Sequence, residues 1–347
     1  FNIGVFGSLQ SYPPIYDERV KFHLPDTFAP KSDAIPKDLK EFQDFNLKMA
    51  NNNKAISRNI SFRDVLSFLN LTKKGIISKR SALRAAFHIA KEKINANNKK
   101  RRSIIQNVLT FDLYLKFLKK TKPDFSTYFT NHLAGMMHRY WRDLFPEDFN
   151  MTKEEVNKFN QKSLIYAMHL ADNNLKNLLN FSKNNDYDLW LISSMGQCAI
   201  DRGHYFPELV LRDLGKLLIK LGLNPINHEL LPAMQPDYCI KSSDLNSLKK
   251  LKISISKIKD CQQKSILNER YTTKSLNLHL VLERSEAFKN NQFLTVNSKK
   301  FKFEELGFEL ITRDQGTGYH NPIGIFTLYG PSTGNFSKFQ NDLIETT

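Results

Sequence analysis

Long apolar runs are missing from this 347-residue sequence. No stretch reaches the roughly 18 consecutive apolar residues that suggest a membrane-spanning helix, and no leader-like segment is visible. Cysteine is scarce: Cys198, Cys239 and Cys261 are scattered and odd in number. That argues against a disulfide framework, and the spacing is not that of a zinc site. A reducing compartment, the cytoplasm, is the expectation. Acidic residues are also few, 35 against 51 Lys and Arg, for a formal net charge of +16. Such a surface suits an anionic partner, an acidic lipid surface, a phosphorylated substrate or nucleic acid; the bland reading beside it is a chain-wide enrichment in Lys and Asn. The densest basic block, Asn97-Asn-Lys-Lys-Arg-Arg-Ser103, has no interleaved aromatics. It reads as a solvated turn, not a single-strand platform, so nucleic acid is not the expected partner.

What is present is an alternation of strand-like and helix-like stretches. Phe1–Phe6 reads as a buried strand, and Gly7–Pro14 as a loop that could approach a phosphate. Pro36–Asn53, Ser61–Leu69, Ser78–Asn95 and Ile104–Lys119 read as helices, with Ser61 and Asp64 placed for an N-cap. Together they form a helical insertion over residues 36–120. The Asp-Phe-Ser-Thr run reads as a short strand that turns at Asn131-His132 into a helical run ending near Leu144. Met151-Thr-Lys-Glu-Glu reads as the opening of a helix to about Asn184, with Thr152 as N-cap. Leu189–Ile192 reads as an apolar strand, Ser193–Gly196 as a turn, and Phe206–Leu221 as an amphipathic helix. Leu251–Ile258, Leu276–Leu282 and Phe293–Val296 alternate and read as short strands of a small β-rich cap over residues 237–310.

Three signals come in order: His138 on a helix after a strand, with Trp141 three residues on; an apolar strand ending at Ser193-Ser194-Met195-Gly196; and Gly318-Tyr-His320, Pro322-Ile-Gly-Ile-Phe326 and Tyr329-Gly-Pro331. This order resembles the alkaline phosphatase superfamily, in particular its type I phosphodiesterase/nucleotide pyrophosphatase branch. The resemblance implies one α/β domain over residues 1–347. Its central sheet would be mostly parallel and flanked by helices, with Phe1–Phe6, Ser126–Tyr128, Leu189–Ile192 and Ile325–Leu328 in one sheet. It implies hydrolysis of phosphate or sulfate esters with divalent metal, usually zinc, which activates the nucleophile and stabilises charge on the transferring group. The substrate would be an anionic small molecule or a glycan-linked ester.

Carried over residue by residue, the resemblance makes His138 and His320 metal ligands. A family Asp one turn before the first is replaced by Ala134, and the Asp-His pair of the other metal falls at Ser194-Met195. The nucleophile and one further Asp would lie upstream of Phe1. Asn131, His132, Ser193 and Ser194 are pocket candidates, with His204, Asp26 and Asp314 as further ones. The bland readings stand beside these: His132 and His138 as packing or capping residues, Ser193 and Ser194 as turn residues. Two functions follow, an ester hydrolase or a catalytically degenerate binding or assembly protein of the same fold.

Overall fold

The computed structural model describes residues 1–52, 60–202, 207–231, 233, 237–271, 275–283, 288, 290–311 and 316–333. It mixes helices and strands and divides into two compact units, Phe1–Arg202 with Gln315–Thr347, and Gly203–Asp314. Among the described residues no helix is long and apolar enough to cross a membrane.

The first unit is built on a parallel sheet of three strands, β1 (Ile3–Phe6), β2 (Val20–Leu24) and β3 (Phe125–Tyr128), in the order β2-β1-β3. Gly4 stands opposite Phe22 in this ladder. A side chain at Gly4 would run into the Phe22 ring, so the glycine is what lets that ring lie across the strand. Phe22 is fully buried and meets Phe6, Tyr114 and Phe117 at ring-centroid distances of 6.5, 6.1 and 5.9 Å. Mixed edge and tilted contacts of this kind suit the aromatic quadrupole.

Four helices connect β2 to β3: α1 (Leu39–Asn52), α2 (Phe62–Lys73), α3 (Lys79–Ile94) and α4 (Arg102–Thr121). The α2 start is the reciprocal cap that its sequence announces. Asp64 N–H donates to Ser61 Oγ at 3.2 Å, and Ser61 N–H donates to the Asp64 carboxylate at 2.8 Å. After β3 come α5 (His132–Leu144) and α6 (Lys158–Asn185). The long helix therefore does not open at Thr152. Thr152 and Glu155 close a single turn on themselves, Thr152 N–H donating to the Glu155 carboxylate at 2.7 Å. The cap of α6 is Asn157, whose Oδ1 accepts from the Phe159 and Asn160 N–H groups.

Two strands follow, β4 (Leu189–Ser193) and β5 (Gly196–Ala199). The second unit then opens with β6 (Glu208–Leu211) and α7 (Leu214–Lys220), where one amphipathic helix was expected. Glu208-Leu-Val-Leu211 is buried throughout and pairs as a strand, and Asp213 caps the short helix. The unit continues through β7 (His228–Leu231), β8 (Asp237–Ser242), α8 (Leu245–Ile255), β9 (Ile258–Lys259), β10 (Leu267–Tyr271), β11 (Asn277–Leu282), β12 (Phe293–Val296), β13 (Lys299–Lys302) and β14 (Phe308–Ile311). The stretch expected as a strand at Leu251–Ile258 is mostly helix. Leu248, Leu251 and Ile255 recur at helical spacing and are buried, which outweighs the local alternation. An antiparallel sheet of order β10-β11-β8-β7 carries the core of this unit.

The chain returns to the first unit with β15 (Gly318–Asn321) and β16 (Ile325–Tyr329). β4 pairs with β16 and β5 with β15, both antiparallel. The result is one long two-stranded ribbon, interrupted where Ser194-Met195 stand opposite Pro322-Ile-Gly324, two residues against three. The four strands expected in one sheet are thus split. Leu189–Ile192 and Ile325–Leu328 pair with each other but join neither β1 nor β3, and the parallel sheet among the described residues has three strands. The β4–β16 half of the ribbon is apolar on both faces yet open to solvent, with Ile192 63% and Phe326 57% exposed.

Candidate functional site

The β5–β15 half of the ribbon lies against α5, and two glycines set how closely, while a third closes the ribbon itself. At Gly318 a side chain would collide with the Met137 carbonyl and stand 3.3 Å from His138 Cα. Gly316 has φ +68° and would bring a Cβ to 2.7 Å from the His138 carbonyl oxygen. Gly196 would meet the Ile323 carbonyl oxygen at 2.7 Å across the ribbon. Arg142 N–H donates to Thr317 Oγ1 at 3.0 Å and ties strand to helix.

This approach puts the Gly318 carbonyl 3.0 Å from His138 Nδ1. A carbonyl only accepts, so Nδ1 carries the proton and the lone pair of the neutral ring sits on Nε2. That Nε2 is 3.1 Å from His320 Nε2, with the ring centroids 4.7 Å apart. His320 stands directly opposite Gln197 in the β5–β15 ladder, so both side chains share the face turned to α5. Gln197 Nε2 lies 3.4 Å from His138 Nε2, and its Oε1 is buried with no partner among the described residues. Burial pushes His138 below the ordinary imidazole value; His320 and Arg202 push the same way, and the Gly318 carbonyl opposes them.

The chain matches no family model, no curated protein and no solved structure. What this cluster can do is therefore read from its own donors. Two imidazole nitrogens on one zinc, each at about 2.0–2.1 Å, stand roughly 3–4 Å apart. The 3.1 Å separation fits that geometry; the Gln197 atom that approaches His138 is the amide nitrogen, so its oxygen would serve as a neutral donor only with the amide turned over. No group of three His, Cys, Asp or Glu side chains is assembled among the described residues, so a metal here would take its remaining ligands from an amide, solvent or substrate. His320 sits in a strand instead of the loop expected for it, and the β-ladder is what aims its ring.

The other sequence candidates fall elsewhere. Asn131 and His132 stand at the start of α5 and line a cavity at the carboxyl ends of β1, β2 and β3, which His138 and His320 do not line. His132 is buried, and its Nδ1 meets Thr130 Oγ1 at 2.8 Å. Thr130 in turn accepts from Asn107 Nδ2 at 2.7 Å, and Asn107 accepts from Asn174 at 2.8 Å, a network that fixes the ring in the fold. Ser193 ends β4 and its hydroxyl donates to the Met195 carbonyl at 2.6 Å, a turn role. Ser194 is in the interruption of the ribbon, where Gly324 leaves no room for a side chain against the Ser193 and Ser194 backbone. Asp26 lines the same cavity as His132, and its carboxylate accepts from the Gln10 and Phe28 N–H groups at 2.5 and 2.6 Å. His204 and Asp314 lie outside the described residues.

Two contributors escaped the sequence reading. Gln197 follows the expected turn by one residue, and only the pairing with β15 gives it a role. Arg139 lines the cavity one position after His138, on an adjacent flank of the helix, since successive side chains are about 100° apart.

The buried His132 sets a pH dependence. Burial pushes it down to about 4, against an opposing contribution from the Ala167 carbonyl. The unfolded ring titrates near 6.5, so between about 6.5 and 4 the unfolded chain binds the extra proton and the fold is the weaker for it. Above that window the full stability is present. Urea midpoints should therefore fall from pH 7 to pH 4, with about 3 kcal/mol at most from this ring, at 1.36 kcal/mol per pKa unit. A His132→Asn variant, less stable at pH 7, should show a flatter profile. An unchanged profile would remove His132 from the account.

Proposed function

We propose that the chain acts on phosphate or sulfate esters through a divalent metal, zinc or a similar ion, held by His138 and His320. The model is the alkaline phosphatase superfamily and its type I phosphodiesterase/nucleotide pyrophosphatase branch. The supporting observation is the 3.1 Å approach of two imidazole nitrogens from residues 182 positions apart, at the two positions that resemble family ligands. The family's central sheet belongs to the same proposal; its support is the parallel β2-β1-β3 order and the helix α5 that follows β3.

The metal would supply Lewis acidity toward an ester oxygen. The protein's part is positioning. The Gly318 carbonyl holds the His138 tautomer with Nε2 free, an outer contact of the kind that orients metal-bound imidazoles. His320 has to carry its own proton on Nδ1 to offer Nε2 as well. Two imidazoles and an amide are neutral donors, so they leave the ion's charge uncompensated and favour an anionic ligand. The net charge of +16 attracts such a substrate from a distance.

A second reading is a non-catalytic binding or assembly protein of the same fold. It is favoured by Ser194-Met195, which stand where the family has an Asp-His pair, and by the missing third ionisable ligand among the described residues. Calorimetric titration with zinc and with manganese separates the two. Saturable binding that weakens at least tenfold in His320→Ala, the scale of a lost ligand, is the expected result. Absence of metal binding by the folded chain leaves the binding-protein reading.

A further inference from the structure

The cavity at the carboxyl ends of β1, β2 and β3 has a volume of about 250 Å³, just below the range of about 300–1,000 Å³ typical of small-molecule sites. In open α/β sheets this end is where ligands gather, because loops and helix N-termini converge there. We infer that this cavity is a binding site for a small hydroxylated anion of the sugar-phosphate class, separate from the histidine pair and independent of the metal reading.

The wall is backed by a chain of fixed amides. Gln43 Nε2 donates to the Pro25 and Asp26 carbonyls at 3.0 and 3.2 Å, Asn46 Nδ2 donates to Gln43 Oε1 at 3.2 Å, and Gln106 Nε2 donates to Asn46 Oδ1 at 2.7 Å. Asn46 and Gln106 line the cavity, and Gln106 Oε1 takes no part in this chain of amides. Ser103, one helical turn before Gln106 on α4, also lines the cavity, and its buried Oγ has no partner among the described residues. Asp26 is held by two backbone N–H groups, which keep its carboxylate in place as an acceptor for hydroxyl protons. These acceptors and one hydroxyl match the O–H groups of a polyol, and the rings of Phe6 and Phe129 supply apolar wall.

The charge preference comes from the α5 side. Asn131 makes no side-chain cap at the α5 start, so first-turn N–H groups there lack that partner. Arg139 lines the cavity, is exposed, and makes no hydrogen bond or ion pair among the described residues. An uncapped helix start and a free guanidinium favour an anionic group at this side. His132, held neutral by burial, does not oppose it.

Gly135 adds an independent sign that the space is kept for an occupant. It lies within α5 and lines the cavity, and a Cβ there would meet nothing within 4 Å. Glycine is disfavoured inside helices, and packing does not require it here. What it preserves is open volume, in a place where a larger side chain would project into the cavity.

The test is calorimetric titration of the full chain in EDTA with glucose 6-phosphate, glucose and inorganic phosphate as separate probes. The expected result is saturable binding of the sugar phosphate at least tenfold tighter than either fragment. Gly135→Leu should abolish it without lowering the melting temperature, and Arg139→Gln should weaken it at least tenfold. Arg139 is on the exposed rim, so this variant keeps the test decisive should Gly135→Leu fail to fold. Phosphate binding as tightly as the sugar phosphate overturns the hydroxyl recognition. No sugar-phosphate binding, or binding unchanged in both variants, overturns the site, whatever the metal titration gives.

Discussion

A valine at position 318 should pull the two histidines apart. The new side chain would occupy the place of the Met137 carbonyl, a backbone group that no rotamer change can move. Strand β15 has to retreat from α5, and the contact of Gly318 carbonyl with His138 Nδ1 goes with it. His138 then loses both its tautomer control and its neighbour His320. The expected outcome is a zinc affinity reduced at least tenfold, as far as in His320→Ala, although both rings are still present. Imidazole resonances of His138 and His320 should shift together in the metal-free protein. Unchanged resonances with unchanged affinity would show that the close strand–helix approach does not set the site.

Phe22→Ala should cost about 3–5 kcal/mol of stability, the range for removing a fully buried aromatic ring. Phe22 is at the meeting point of β2, β1 and α4, where Phe6, Tyr114 and Phe117 surround it. The neighbouring Gly4 cannot fill the space because it carries no side chain. Sheet and ring are thus jointly specified, and the cavity left behind would be lined by rigid aromatics that collapse poorly. Equilibrium urea denaturation reads the loss; a change below about 1 kcal/mol would mean the cluster repacks freely, unlike most cores.

What the sequence disclosed and what it concealed divide along physical lines. The α2 cap was legible because Ser61 and Asp64 act within one turn of chain. The junction at Asn131-His132 was legible because a strand-like run changes to helical spacing there. The stretch 206–221 was misread because a short apolar run such as Leu209–Leu211 suits a buried strand and a helix face alike. Only pairing with Phe308–Ile311, about a hundred residues on, decides between them. At Leu251–Ile258 alternation and helical spacing coexist, and burial of Leu248, Leu251 and Ile255 selects the helix. Thr152 was misread as the cap, because Asn157, five residues on, has the side chain that accepts from the first free N–H groups of the helix. The approach of His138 to His320 followed from a resemblance; the partner Gln197, the ribbon and the cavity wall around Gln106 depend on long-range register, which no local pattern encodes.

The open half of the ribbon has a practical consequence. The chain has two tryptophans, and they report on different places. Trp190 is on β4, half exposed and in edge contact with Phe326, so its emission senses whatever comes to lie on that apolar surface. Trp141 is three residues past His138, its indole N–H bound to Asp148 at 2.7 Å and its ring beside Phe145. A Trp190→Phe protein therefore keeps one native fluorophore on the helix that carries His138, and a Trp141→Phe protein keeps one on the ribbon. The fold thereby carries two built-in optical probes, each readable alone without any added label.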